Sequence, residues 1–254
     1  MTFTVPPLPL RTRLLMLARL LTIQGSYNYE TMIGNGVAFA MEPALRMLPG
    51  GRNGDAYRAA MARESRYFNA HPYLAAVAVG ALARAELAFE DPERIERFRT
   101  AACGPLGSVG DRLIWAGWLP FCSFLALLAF GLGASPATVV GLFLVTYNVG
   151  HVSLRAWALD VGWRTGLSCG AALGGPLFRH GPALLTRAGA VVGGLAVPVA
   201  VAGASGARPF GVLLIGAVGA AGAVALAASG GRVQGWRAAL VLLTIGCVAA
   251  VAIP

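Results

Sequence analysis

The sequence predicts an all-α integral membrane protein in which N-terminal interfacial and re-entrant helices are followed by about five transmembrane helices. Three observations carry that prediction. The chain of 254 residues is 57% hydrophobic and 12% charged, with a mean hydropathy of +0.67, too apolar for an ordinary soluble domain. Its charge is divided: ten of the 11 acidic residues and 13 of the 20 arginines lie at or before Arg112, and nothing after Asp160 is acidic. Finally, apolar stretches long enough to cross a bilayer recur at 113–133, 136–154, 188–204, 210–228 and 237–253. The domain reading follows the charge, with an interfacial, surface-helix and re-entrant region over 1–112 and a transmembrane region over 113–254.

In chain order, residues 11–23 read as a short helix in the membrane interface, its arginines reaching toward headgroups. No secretory signal is expected, because Arg19 interrupts the apolar run and no small-residue cleavage site follows. Residues 24–30 form a polar knot. From Thr31 to Leu48 the chain is moderately apolar, but Gly34-Asn35-Gly36 and Glu42-Pro43 interrupt it, so a simple span is not expected. A loop at 49–54 and a surface helix from Ala56 to Tyr67 follow. Pro72 suits a first helical turn and opens an apolar run, Tyr73 to Leu82, about half the length of a span. That run reads as a half-helix or re-entrant element with Asn69 and His71 at its tip. Asp91 to Arg99 is a charged helix. Gly104 to Asp111, with glycines at 104, 107 and 110 and Pro105, is expected to be an irregular loop. Asp111 then either caps the first span or belongs to a polar cavity.

In the membrane body, residues 155–187 and 229–236 read as loops. They carry Arg155, Arg164, Arg179, Arg187 and Arg232, against Arg208 on the far side. The positive-inside rule then places the N-terminus in the cytoplasm and the C-terminus outside. Gly189-x-x-x-Gly193 favours close helix packing in lipid.

Several chemistries are excluded or weakened. All 20 basic residues are arginine, so a Walker lysine, a Schiff-base lysine and a Ser-Lys dyad are ruled out. The formal charge of +9 comes without a basic run interleaved with aromatics, which speaks against nucleic acid. Cysteines 103, 122, 169 and 247 show no CxxC and read as small core residues, while His71, His151 and His180 are too dispersed for a metal site. No metal or cofactor is expected. Gly166-Leu-Ser-Cys-Gly170 matches the GxSxG pattern without the strand that a nucleophile elbow requires. No catalytic residue is therefore assigned, and whether the chain is itself an enzyme stays open.

What remains is a set of polar residues at breaks in apolar segments: Asn69, His71, Asp111, Asn148 and Arg155, with His151 one turn before Arg155 on the same face. Each is explained singly by helix packing. As a group they fit a hydrophilic pathway, because intramembrane polar groups tend to mark function.

Four ordered blocks also carry a family resemblance: Gln24-Gly-Ser-Tyr-Asn-Tyr-Glu-Thr-Met32, Tyr67-Phe-Asn-Ala-His-Pro72, Gly104-Pro-Leu-Gly-Ser-Val-Gly-Asp111 with Trp115, and Tyr147-Asn148 through Arg155 to Gly162-Trp-Arg-Thr-Gly166. They resemble the IID membrane component of the mannose/fructose/sorbose family of the phosphoenolpyruvate-dependent phosphotransferase system (PTS), over roughly residues 14–167 with a weaker echo at 188–202. The resemblance implies a bacterial inner-membrane D subunit that pairs with a IIC subunit, in an oligomer of C–D heterodimers. Together they would admit a hexose that is phosphorylated on entry through soluble IIA and IIB subunits, the D subunit carrying no phosphorylated residue. The chain departs from the family at Asp111-Arg112, where Asp-Pro or Asp-Ser is usual, and at Leu119-Pro120, where Arg-Pro is usual. It is also short between the span near 188–204 and the C-terminus, having only Gly203–Pro209. These departures motivate an alternative, a non-transporting membrane scaffold or sensor that retains the IID fold.

Overall fold

A computed structural model describes residues 7–205 and scattered positions from 216 to 248. Among the described residues the regular elements are helices: α1 (Leu10–Leu20), α2 (Gly34–Leu45), α3 (Asp55–Glu64), α4 (Ala75–Leu87), α5 (Pro92–Gly110), a π-helix (Asp111–Trp118), α6 (Leu119–Gly131), α7 (Pro136–Thr165) and α8 (Pro176–Ser205). Short 3-10 turns occupy Gly51–Asn53 and Gly166–Gly174. The chain divides into two compact units, one of residues 1–112 and 150–179, the other of 113–149 and 180–254.

The first unit is built around α4, whose thirteen residues AAVAVGALARAEL are almost all buried. So small a helix packs by backbone approach. A Cβ on Gly80 would collide with the Leu159 carbonyl and the Trp163 nitrogen, and one on Gly162 with the Val77 carbonyl. Glycine at both positions lets α4 and the C-terminal half of α7 touch main chain to main chain. Arg84 then donates to the carbonyls of Trp163 (3.0 Å) and Arg164 (2.5 Å), groups at the end of α7 that have no helical partner.

Charged side chains close the rest of this unit in pairs. Glu86 accepts two bonds from Arg63, at 2.8 and 2.7 Å, and buried Glu64 pairs with buried Arg99, which also donates to the Arg66 carbonyl at 2.9 Å. Asp91 caps α5 by accepting from the Glu93 amide at 3.2 Å, with Pro92 in the first turn. Glu42 is held by Arg46 (2.6 Å), Arg19 (2.8 Å), Arg52 (2.9 Å) and the Tyr57 hydroxyl (3.2 Å). Burial by itself would raise the Glu42 carboxyl, but hydrogen bonds from the three arginines outweigh it and hold the group at about 2.

In the second unit α6 packs on α8 through small residues. A Cβ on Gly131 would come within 2.6 Å of the Ala200 nitrogen, and Gly193 lies against the Phe124 ring. Gly189 faces Phe121, so both glycines of the GxxxG pair meet α6. Val140, Leu144, Val145 and Val149 of α7 point outward. Exposed apolar side chains on a long helix suit a hydrocarbon surrounding.

Several expectations are corrected. Gly104 to Asp111 is not a loop: α5 runs through Gly110 and continues as the π-helix. Of these glycines Gly110 serves packing, since a Cβ there would strike the His71 ring, whereas one on Gly107 finds only the Ala70 Cα, at 4.0 Å, and one on Gly104 finds nothing within 4 Å. Asp111 caps no helix start; its amide donates to Gly107 and Ser108 carbonyls within a continuous helix. Helix α2, of 12 residues, is not a span, and it runs unbroken through Gly36 and Pro43. Pro43 withdraws the donor that the Phe39 carbonyl would have received, and Arg19 Nη1 supplies the substitute at 2.8 Å. Gly34 and Gly36 sit against the carbonyls of Arg66 and Ile23, where no side chain fits.

Residues 155–187 are mostly helix rather than loop. Helix α7 persists to Thr165, Gly166 ends it with φ of +58°, and Pro176 opens α8. Three helical stretches among the described residues are long and apolar enough to cross a membrane: Pro92–Gly131, Pro136–Gly174 and Pro176–Ala204. The expected spans 210–228 and 237–253, and Cys247, lie largely outside the described residues.

Two predictions follow from this packing. Gly107→Ala should raise stability by about 0.5–1 kcal/mol, the helical gain of Ala over Gly, while Gly110→Ala lowers it by ~1–3 kcal/mol through overpacking; thermal melts of the detergent-solubilised chain read both. Glu42 has a folded value below its unfolded one, so its stabilisation is present above pH ~4.3 and lost as pH falls toward 2. Acid titration of the melting temperature should show that loss, and Glu42→Gln should abolish it.

Candidate functional site

The chain approaching α4 turns at His71-Pro72-Tyr73. Pro72 keeps His71 out of helical geometry, and the His71 carbonyl accepts the Ala75 amide at 2.8 Å, so this segment forms the head of α4. The Tyr73 amide donates to His71 Nδ1 at 3.2 Å. A ring nitrogen that accepts carries no proton, so the neutral His71 ring holds its proton on Nε2.

Helix α7 brings two further groups to the same place. His151 and Arg155, one turn apart, are both buried, and Arg155 Nη1 lies 3.1 Å from His151 Nδ1. A guanidinium only donates, so His151 Nδ1 is the acceptor. The two helices meet through Tyr73. Its ring stacks on His151 with centroids 4.8 Å apart, carries the Arg155 guanidinium 4.1 Å from its centre, and meets the His71 ring edge-on at 4.9 Å. Gly110 closes the far side of His71. The result is a buried cluster of two imidazoles, a phenol and a guanidinium, rich in N–H donors.

The expected site residues distribute unevenly. His71 and Arg155 are both brought against the Tyr73 ring. Asn69 is exposed two residues before His71, and its main-chain N–H donates to Cys103 Sγ at 3.4 Å. Asp111 is exposed at the start of the π-helix, beside Gly110. Asn148 belongs to the other unit, is exposed, and donates to the Leu144 carbonyl of its own helix at 2.6 Å. The sequence reading missed Tyr73, taken there as the first residue of an apolar run, and Gly110, taken as loop. A tyrosine directly after His-Pro, at the head of a helix too short to span, was the available signal. Ser168 of the GxSxG match sits in a 3-10 turn that follows a helix, which is not the strand–turn–helix geometry of a nucleophile elbow. No group of three His, Cys, Asp or Glu side chains suited to a metal gathers among the described residues, and Cys103, Cys122 and Cys169 are free thiols.

Residues 9–201, which contain all of this cluster, match the family model of the PTS system mannose/fructose/sorbose family IID component. The chain belongs to the IID family. Among its curated relatives, the mannose-specific EIID component of Escherichia coli K12 is 29% identical over 177 residues, 67% of this chain and 59% of that protein. The sorbose-specific EIID component of Klebsiella pneumoniae is 29% identical over 180 residues, 67% of this chain and 61% of that protein. The matched part thus spans about three fifths of those relatives. A solved structure of the mannose transporter ManYZ in complex with microcin E492 contains a chain similar to this one, with a TM-score of 0.59 at 25% identity, covering 73% of this chain and 69% of that one.

In this IID chain Tyr73 joins the two helices by its ring. Tyr73→Leu should therefore lose ~1–2 kcal/mol of stacking and cation–π interaction, as read by thermal unfolding in detergent.

Proposed function

We propose that this chain is the D subunit of a mannose-type sugar phosphotransferase permease. It forms with a IIC subunit the route by which a hexose crosses the membrane, and a IIB subunit, charged by IIA, phosphorylates the sugar. The observation that carries this reading is the family match over residues 9–201, which takes in the whole His71–Tyr73–His151–Arg155 cluster. The cluster's chemistry agrees with a role in binding and positioning. Imidazole and guanidinium N–H groups suit the hydroxyl oxygens of an uncharged sugar, and the phosphoryl transfer is left to the partner subunits.

In this reading His71 and Arg155 hold or position sugar hydroxyls, with Asn69, Asp111 and Asn148 contributing as the complex assembles. Residues 1–112 work at the interface and as a re-entrant element, and 113–254 form the transmembrane body. The protein sits in the bacterial inner membrane as part of an oligomer of C–D pairs. Arg164, Arg179 and Arg187 flank the 3-10 turn after α7, against Arg208 beyond α8, so the positive-inside rule puts that turn and the N-terminus in the cytoplasm and the C-terminus outside.

The test is reconstitution of the chain with its C and B partners and measurement of phosphoenolpyruvate-dependent sugar phosphorylation. Omitting the chain should abolish activity, and His71→Ala or Arg155→Gln should lower it at least about tenfold, the loss of ~1.4 kcal/mol, with the complex still assembled. Full activity without the chain refutes the proposal. A complex that assembles but neither binds nor phosphorylates sugar marks the chain as a scaffold.

A further inference from the structure

The Glu42 cluster is unbalanced in charge. Three guanidinium groups, Arg19, Arg46 and Arg52, converge on one carboxylate, so two positive charges are left over, and the remaining polar member, Tyr57, is a neutral phenol. Arg19 is used up internally, bonded to Glu42 and to the Phe39 carbonyl and lying over the Phe39 ring at 4.3 Å. Arg46 and Arg52 face outward, their side chains 40% and 61% exposed. Arg46 is bonded to Glu42 through Nε, and Arg52 through Nε with its Nη2 also 2.9 Å from the same oxygen, which fixes both stems and leaves the Arg46 terminal nitrogens and Arg52 Nη1 outside those bonds. Two guanidinium groups fixed side by side in this way form a preorganised receptor for a phosphate oxygen pair.

The surroundings say where that phosphate comes from. The outward face of α1 carries Leu10, Leu14, Leu15 and Ala18, with Arg11 among them and Leu21 following at the C-cap, while Met16 and Leu20 turn inward. Phe39, under the Arg19 guanidinium, is 47% exposed. An apolar stripe bordered by fixed cations matches the boundary between acyl chains and headgroups. We propose that Arg46 and Arg52, positioned by Glu42, bind the phosphate of an anionic phospholipid whose acyl chains lie along α1. This site is separate from the His71–Arg155 cluster and does not depend on the transport reading.

The experiment places the full chain in nanodiscs of equal phosphatidylglycerol and phosphatidylcholine and counts the lipids retained by native mass spectrometry. The parent should retain phosphatidylglycerol preferentially. Arg52→Gln, a change at an exposed 3-10 position, should cut that preference about fivefold, and Arg46→Gln similarly. Arg58→Gln is the control, because Arg58 is equally exposed but pairs with Asp55 away from Glu42, and it should leave the preference intact. Equal loss in Arg58→Gln would mean diffuse surface charge and overturn the site, as would no preference in the parent. In a parallel arm inorganic phosphate is added to the detergent-solubilised chain. A rise in melting temperature that Arg52→Gln removes would assign the pair to a soluble phosphate and overturn the lipid assignment; no shift is the expected result.

Discussion

The contact of α4 with α7, main chain against main chain, is the constraint on which the first unit depends. It has a direction as well as a closeness. Tyr73 meets His151 and Arg155, Gly80 meets Leu159 to Trp163, and Arg84 meets Trp163 and Arg164, so the helices run parallel and in one register. Glycine at 80 and 162 makes any slip of that register costly, because the neighbouring residues on each helix carry a Cβ with no room to enter. Arg84 fastens one end by satisfying carbonyls that the end of α7 leaves open. At the other end the same register delivers the Tyr73 ring between an imidazole and a guanidinium.

Arginine is the only basic residue available, and the structure uses its forked geometry repeatedly. Arg99 reaches a buried carboxylate and a main-chain carbonyl together, Arg19 does the same at Glu42 and Phe39, and Arg63 grips Glu86 with two parallel bonds. A lysine ammonium is a point charge and cannot span two acceptors in a fixed plane. This is how α2 tolerates Pro43 and how buried Glu64 is kept paired. Removing one member of such a buried pair is far worse than replacing both, since the survivor is left as an uncompensated charge.

What was legible in the sequence was set by composition and by local chemistry. The apolar body, the half-length helix behind Pro72, the helix beginning at Asp91 and the pairing of His151 with Arg155 each follow from residues at most a few positions apart. What was not legible depended on tertiary partners. Gly34, Gly36, Gly104, Gly107 and Gly110 look like helix breakers because glycine and proline weaken an isolated helix, yet α2 and α5 contain them, and at Gly34, Gly36 and Gly110 the lack of a Cβ admits a neighbouring segment, most plainly Gly36 at Ile23 and Gly110 at His71. No sequence rule says that Arg19 will replace the donor lost at Pro43. The same blindness hid Tyr73, whose role exists only once α7 lies beside it. Arg155, expected in a loop, is buried because α7 continues well past it.

The π-helix after Gly110 is intelligible on the same terms. Across Asp111 to Trp118 the buried positions are Leu113, Ile114 and Gly117, and the exposed ones are Asp111, Arg112, Trp115 and Ala116, a repeat of four. An α-helix drifts off a four-residue repeat, whereas the wider π turn holds it more closely. The acid and base of Asp111-Arg112 are thereby kept on one face and Leu113-Ile114 on the other, immediately beyond the glycine that receives His71. Wide turns of this kind concentrate where a helix must keep its hydrogen bonds while its side chains are re-aimed. Here the re-aimed segment begins directly after Gly110, the residue that lies against the His71 ring.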